Sequence, residues 1–346
     1  MMSFRAGRIE GLSIPSGMAW TLSEIARLQG RWEDLKRRWE EFLQPLAESA
    51  QIESVEASCR LDGLQVPEKR FCALLNGKSG ARSKPESEVL GYHQALQWIH
   101  EAPPSVLVTP STLQHLHALA LPEDGQAGQW KQQDIELQEL QEGLLRFRPV
   151  SARHTPSAVQ QLCQAYRQAA DEERVPSLLA QALLVLDFLC ISPFPRANGR
   201  VSRLLAVLTL VQSQIPAGRY ASLECLIEQS RQEYRSALQS SLTGWHKGEH
   251  DLLPWLTFYL EVIRRACLVS QERMESAFRR LGAKRILVES ALKAFEGGFT
   301  RRQLERRCPG VSAEMVRRVL KDLKKEGRVA CLGRGPGALW EKQGVW

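Results

Sequence analysis

The stretch "ISPFPRANGRVSRLL", residues 191–205, gathers residue types that hold phosphate. Asn198-Gly199 favours positive φ, which lets successive backbone N–H groups point into one concavity. A helix beginning at about Val201 would add its positive dipole end. Arg200 and Arg203 are three apart and share a face near that helix start. Two guanidiniums above a nest of amides make a polyphosphate cradle. An Asn-Gly turn opening a helix that happens to carry arginines is the alternative. The stretch has no histidine, carboxylate or cysteine, so it offers binding without an obvious base or metal ligand.

The elements that must position this loop are mostly helical. "LSEIARLQGRWEDLKRRWEEFLQPLAE" places apolar residues at Leu22, Ile25, Leu28, Trp32, Leu35, Trp39, Phe42 and Leu43, in steps of three and four with charge between. "SAVQQLCQAYRQAADEE", "SLLAQALLVLDFLC" and "LECLIEQSRQEYRSALQSSL" continue the pattern. Strand signals are few: "QWKQQDIELQ" and "LLRFRPV" predict a hairpin within residues 129–150, and a short pair is expected near the C-terminus. The fold class is mainly α.

Composition narrows the class further. Hydrophobic residues make up 43% and charged residues 25% of the 346, ordinary for a globular protein. The start lacks the apolar run of a signal peptide, and "LLAQALLVLDFLCI" is too short and too polar to span a bilayer. A cytoplasmic protein with no membrane partner is expected. The eight cysteines are scattered with no CxxC pair, which favours reduced core thiols over a metal site or disulfides. His115 and His117 are two apart, on different faces of a helix. Charge is uneven: from Arg279 to Trp346 there are 17 Lys and Arg against 7 Asp and Glu, a balance of +10, while the remainder is slightly acidic. That asymmetry points the C-terminal end at an anionic partner, nucleic acid first.

Residues 284–346 read as a winged helix. "AKRILVESALKAF" is a first helix, "TRRQLERRC" a second capped by Thr300, and "SAEMVRRVLKDLKKEG" a third with Ser312 as N-cap and Gly327 closing it. Val316, Val319, Leu320 and Leu323 face inward, leaving Arg317, Arg318, Lys321, Lys324 and Lys325 outward. "RVACLGRGPGALWE" makes two strands around a wing tip with Arg334. Outward cations on a third helix suit contact with duplex DNA, with Arg317, Arg318, Lys321 and Arg334 as the candidates. One such domain has a small footprint, so useful affinity would call for a homodimer. The alternative is a solvated protein-interaction module.

"SPFPRANGRVSRLL" resembles the signature loop of the Fic family, His-Pro-Phe-x-Asp/Glu-Gly/Ala-Asn-Gly-Arg-x-x-Arg. "GQWKQQDIELQ" and "LRFRPVSARHTPSAVQQLCQAY" look like the family's flap and next helix, and "QEYRSALQSSLTGWHKGEHDLLPWLTFYL" resembles the helix pair after the loop. The resemblance covers roughly residues 70–265. It implies a Fic-type helical core with a small β-hairpin flap, followed by the winged helix-turn-helix domain. The expected divisions are 1–70 (N-terminal helical segment), 71–270 (Fic core) and 271–346 (winged helix). Members commonly transfer AMP from ATP to a hydroxyl of a target protein, which here would dock at the 129–150 flap.

Upstream, Ser58-x-x-x-Asp62-Gly63 is similar to the inhibitory motif Ser/Thr-x-x-x-Glu-Gly, with Asp for Glu. The resemblance implies that Asp62 pairs with Arg203 and blocks the ATP γ-phosphate. A helix stop with a glycine cap is the alternative. Two departures bear on activity. Ser192 stands at the catalytic histidine position, and Arg196 at the metal carboxylate position. Loss of a general base costs about 10² to 10⁴ in rate, and loss of the metal removes charge neutralisation on the phosphate. The implied protein is a degenerate Fic protein, a pseudoenzyme that regulates rather than transfers. It would bind ATP or ADP through Arg196, Asn198, Gly199, Arg200 and Arg203, with Mg²⁺ not expected and Arg196 supplying the positive charge. The alternatives are a weak or unconventional adenylyltransferase and a scaffold with an unused cradle.

Overall fold

Helix starts in this chain follow their caps. The computed structural model describes all residues except 1, 6, 10, 40–42, 103–105, 139–145, 173–174, 281–282, 296, 334, 336 and 344–346. Phe42 and Arg334, both singled out above, lie outside the described residues. In chain order come α1 (Ser16–Trp39), α2 (Leu43–Leu61), α3 (Glu68–Leu75), α4 (Lys84–Glu101) and α5 (Pro110–Ala120). The hairpin strands β1 (Leu137–Gln138) and β2 (Arg146–Phe147) follow. Then come α6 (Thr155–Asp171), α7 (Ser177–Ile191), α8 (Asn198–Gln212), α9 (Ala217–Tyr220), α10 (Leu223–Gln229), α11 (Arg231–Leu242) and α12 (Leu253–Arg280). Ser83 and Thr109 each accept a backbone N–H three residues on, with a proline in the first turn, so α4 and α5 begin where their sequences require. The N-terminal apolar stripe runs through α1 and into α2, with residues 40–42 between them outside the described residues.

The chain divides into two compact units, Met1–Gln271 and Glu272–Trp346, and residues 1–70 fall within the first. In the first unit α7 is the central helix: every residue from Leu178 to Ile191 is buried, which explains why it is apolar all round. Its one acid, Asp187, accepts from Ser3 N (3.2 Å), Ser3 Oγ (2.6 Å) and Trp245 Nε1 (2.6 Å). Burial pushes its carboxyl pKa up, and these donors oppose that shift. β1 and β2 pair antiparallel, Leu137 with Phe147 and Gln138 with Arg146, at the place where the hairpin was expected.

The second unit adds α13 (Ala283–Lys293), β3 (Phe299–Thr300), α14 (Arg301–Arg307), α15 (Ala313–Lys325), β4 (Val329–Cys331) and β5 (Leu339–Lys342). Its three strands form an antiparallel sheet in the order β3-β5-β4. Thr300 and Gln303 close a reciprocal capping box on α14, and Ser312 caps α15. Val316, Val319, Leu320 and Leu323 are buried, as their spacing requires. The molecule is mainly helical with a small three-stranded sheet. All eight cysteines are free, and among the described residues no helix is long and apolar enough to cross a membrane.

Candidate functional site

The loop between α7 and α8 is built by its own backbone and by three side chains that no local pattern announces. α7 ends at Ser192, whose φ of 42° is left-handed, and α8 begins after Ala197, whose φ is 59°. The expectation of positive φ at Asn198-Gly199 is therefore corrected. Those two residues already belong to α8, which starts at Asn198 rather than near Val201. The turn into the helix is made one residue earlier, so the leading amides of α8 come from the Asn-Gly pair itself.

Lys131, almost fully buried, donates from Nζ to the carbonyls of Ile191 (2.8 Å) and Ser192 (2.9 Å), and its own N–H reaches Pro193 O (2.9 Å). It satisfies the carbonyl end of α7 where the chain leaves the helix. Burial pushes its pKa down to about 8. The Phe194 ring stacks on His117, centroids 3.9 Å apart and planes within 3°. His117 Nδ1 accepts from Gly128 N (2.8 Å), which leaves Nε2–H to face Arg196 O at 3.3 Å. Burial pushes this imidazole down to about 4, so it is neutral and structural.

Asn198 was expected in the cradle, but its carboxamide closes the loop. Oδ1 accepts from Phe194 N (2.9 Å) and Nδ2 donates to Phe194 O (2.8 Å). The Ser192 hydroxyl, buried, donates to Leu189 O at 2.7 Å. Both side chains are spent on bonds to the backbone of this segment.

The three arginines are held by three carboxylates. Arg200 donates from Nε to Asp62 Oδ2 (2.7 Å), and from Nη1 to Glu88 Oε2 (3.0 Å) and Ala120 O (3.4 Å). Arg203 Nη2 reaches Ser58 Oγ (2.9 Å) and both Asp62 oxygens (3.0 Å each). Arg196 pairs with Asp124 through Nε (2.7 Å) and Nη2 (2.6 Å), and with Glu88 at 2.9 Å. Its guanidinium is engaged within the protein rather than extended as a free cation. Asp62 was expected to pair with Arg203; it does so and also holds Arg200. Burial raises the Asp62 pKa, but the two guanidiniums outweigh it and hold the carboxyl below its ordinary value. Asp124 is also lowered, first by the Gln126 N–H and then by Arg196.

The Asp-Gly pair forms the glycine-capped helix stop that was one of its two readings. α2 stops at Leu61, Gly63 turns with φ of 70°, and Leu64 N caps back to Cys59 O (2.9 Å). The same stop projects Asp62 onto α8. Gly199 lies beside Arg203, and a Cβ added there would sit 3.5 Å from its guanidinium. Next to both is a cavity of about 210 Å³, walled by Tyr234, Trp255 and Phe258 and reaching Gly199 and Arg203. Sequence reasoning missed Glu88, Asp124, Lys131 and His117, since no spacing rule joins residues so far apart along the chain.

The Fic/DOC family model matches residues 107–210, the span from the start of α5 through the loop into α8. These residues form a Fic/DOC family domain. Among solved structures, a Fic family protein from Desulfovibrio desulfuricans G20 superposes with a TM-score of 0.64 at 18% identity, covering 97% of this chain and 98% of that one. A Fic domain-containing signaling protein from Bacteroides thetaiotaomicron VPI-5482 gives 0.63 at 20%, covering 73% and 98%. Fic-1 (aa 134–508) from C. elegans gives 0.56 at 16%, covering 75% and 71%. The likenesses show that the Fic fold is shared. No match was found among curated proteins. Fic domains generally bind nucleotides and transfer AMP.

The DNA-binding candidates lie in the second unit. Arg317, Arg318 and Lys321 are exposed on α15, as are Lys324 and Lys325, and none has an ion pair among the described residues. Of the acids elsewhere in the unit, Glu289 pairs with Arg285 and Arg328, Glu326 with Arg285, and Glu305 with Arg301, while α15 itself carries Glu314 and Asp322 among its cations.

Proposed function

We propose that the Fic domain binds the phosphates of ATP or ADP in a site that Asp62 holds closed, and that the protein is a cytoplasmic regulator with little or no AMP transfer. The observation that carries this reading is Asp62 bridging Arg200 and Arg203. A polyphosphate would compete with one carboxylate for the same guanidinium hydrogens. The nucleoside would lie in the cavity beside Arg203, whose aromatic walls suit a flat base.

Chemistry is the weak point of the site. A serine hydroxyl lacks the basicity to take a proton at neutral pH, and Ser192 is turned toward Leu189 O. The residues present do not fit Mg²⁺ either, because the loop position that would ligate it carries a guanidinium and its neighbours Glu88 and Asp124 are paired with that cation. Nucleotide binding is accordingly read as metal-independent. Calorimetric titration of ATP and ADP, with EDTA or Mg²⁺, tests this on wild type and Asp62→Ala. Opening the cradle should tighten binding about tenfold or more, equally with EDTA. Equal affinity in both proteins would remove the closed-cradle reading. The alternative, a weak adenylyltransferase acting on a protein at the flap, requires labelling of a lysate protein from labelled ATP.

A second reading concerns the second unit. With three helices and the β3-β5-β4 sheet the unit is read as a winged helix, and the exposed basic row of α15, without ion pairs among the described residues, favours contact with duplex DNA. Gel shift of the full chain tests it, and a homodimer would appear as a two-site footprint.

A further inference from the structure

A larger cavity than the one beside Arg203 lies away from the cradle, in the first unit. It measures about 410 Å³, within the range of roughly 300–1,000 Å³ that holds small molecules. One wall is aromatic: Trp32 and Tyr220, both nearly buried, have ring centroids 4.6 Å apart at 37°. Two cations share the lining, Lys36 and Arg219, against one carboxylate, Glu33. Arg219 is positioned by donation from Nη2 to His100 O. Lys36 is exposed and has no ion pair among the described residues.

Backbone strain marks the same place. Among the described residues only Ser192, Ala197 and Gln214 are non-glycine residues at positive φ. Two of them shape the Fic loop at the N-terminal end of α8. The third, at 54°, lies just past the C-terminal end of α8 and lines this cavity. A side chain in the left-handed region is strained and tends to persist at ligand sites. α2 also spans both places, lining the cavity with Leu43 and Ala47 and leading at its other end to Asp62.

We propose that this cavity is a second ligand site, for a small planar anion. A flat ring lies against Trp32 and Tyr220, where aromatic faces offer dispersion and edge contacts. The acidic group is met by Lys36 and Arg219, whose combined charge exceeds that of Glu33. Gln44 and Gln212 complete the lining, their Nε2 groups held by Glu48 Oε1 and Val106 O.

The probe is 1-anilinonaphthalene-8-sulfonate, a planar aromatic sulfonate, titrated into the folded full-length chain and read by fluorescence. One saturable site is expected. Reversing the exposed charge in Lys36→Glu should weaken it about tenfold or more, while Lys36→Arg keeps it, with circular dichroism confirming that both variants fold. Absence of saturable binding overturns the proposal. So does wild-type affinity in Lys36→Glu, which would place the probe elsewhere, or equal loss in Lys36→Arg, which would show that charge is not what is recognised.

Discussion

In the proposed function, Asp62 is the residue on which the state of the Fic site turns. Because its pKa is depressed in the fold, its contribution to stability is present above the ordinary value of 3.8 and is lost as pH falls through the lower folded value. Thermal melts of wild type and Asp62→Asn should therefore differ near pH 6 and converge only when the pH drops below 3.8. A constant difference down to the most acid condition would mean that Asp62 does not hold the arginines by charge. In the same proposed reading, Ser192 and Arg196 decide the chemistry. Autoradiography with labelled ATP should show no efficient transfer by wild type. The triple variant Ser192→His, Arg196→Asp, Asp62→Ala supplies a base, a carboxylate and an open cradle, and should gain Mg²⁺-dependent labelling. Strong Mg²⁺-dependent labelling by wild type, lost in Arg200→Ala, would contradict the pseudoenzyme reading.

At the scale of elements, the loop depends on how α7 ends and how α4 meets α5. Lys131 is the buried donor to the last carbonyls of α7. Lys131→Met keeps the stem and removes the ammonium, leaving two buried acceptors unsatisfied. A loss of about 1–3 kcal/mol is expected in denaturant unfolding; no change would show that water replaces the ammonium without cost. Gly91 has a different role. A Cβ there would lie 2.3 Å from Leu119 O and 2.7 Å from Pro122 Cδ, so the backbones of α4 and the end of α5 approach too closely for alanine. Gly91→Ala should cost about 1–3 kcal/mol and lower Tm. Since Glu88 lies on α4 and pairs with Arg196 and Arg200, the same substitution should disturb the arginine cluster.

At the scale of the whole molecule, the two units divide the electrostatics. In the first, the cradle arginines are matched by carboxylates of the same fold; in the second, α15 keeps exposed cations that form no ion pair among the described residues. The full chain should bind duplex DNA with a log–log salt slope rising by about 0.9 for each phosphate contacted. Arg317→Glu with Arg318→Glu should abolish the shift. If wild type shows no shift with any duplex at low salt, α15 serves a protein partner instead.

The sequence by itself determined what depends on near neighbours along the chain. Caps at Ser83, Thr109, Thr300 and Ser312, the buried stripe of α15 and the β1–β2 hairpin follow from local periodicity and local hydrogen bonding. The Fic loop was legible for the same reason, being one continuous run from Ser192 to Arg203. Which way its residues turned was not. Asn198 faces inward because Phe194 N and O lie within its reach, and only the folded loop brings them there. Arg196 became an ion-paired residue because α4 and the turn after α5 bring Glu88 and Asp124 to it, across 108 and 72 positions of sequence. Guanidinium pairing acts over a few ångströms of space, and chain separation carries no information about that distance until the helices have packed.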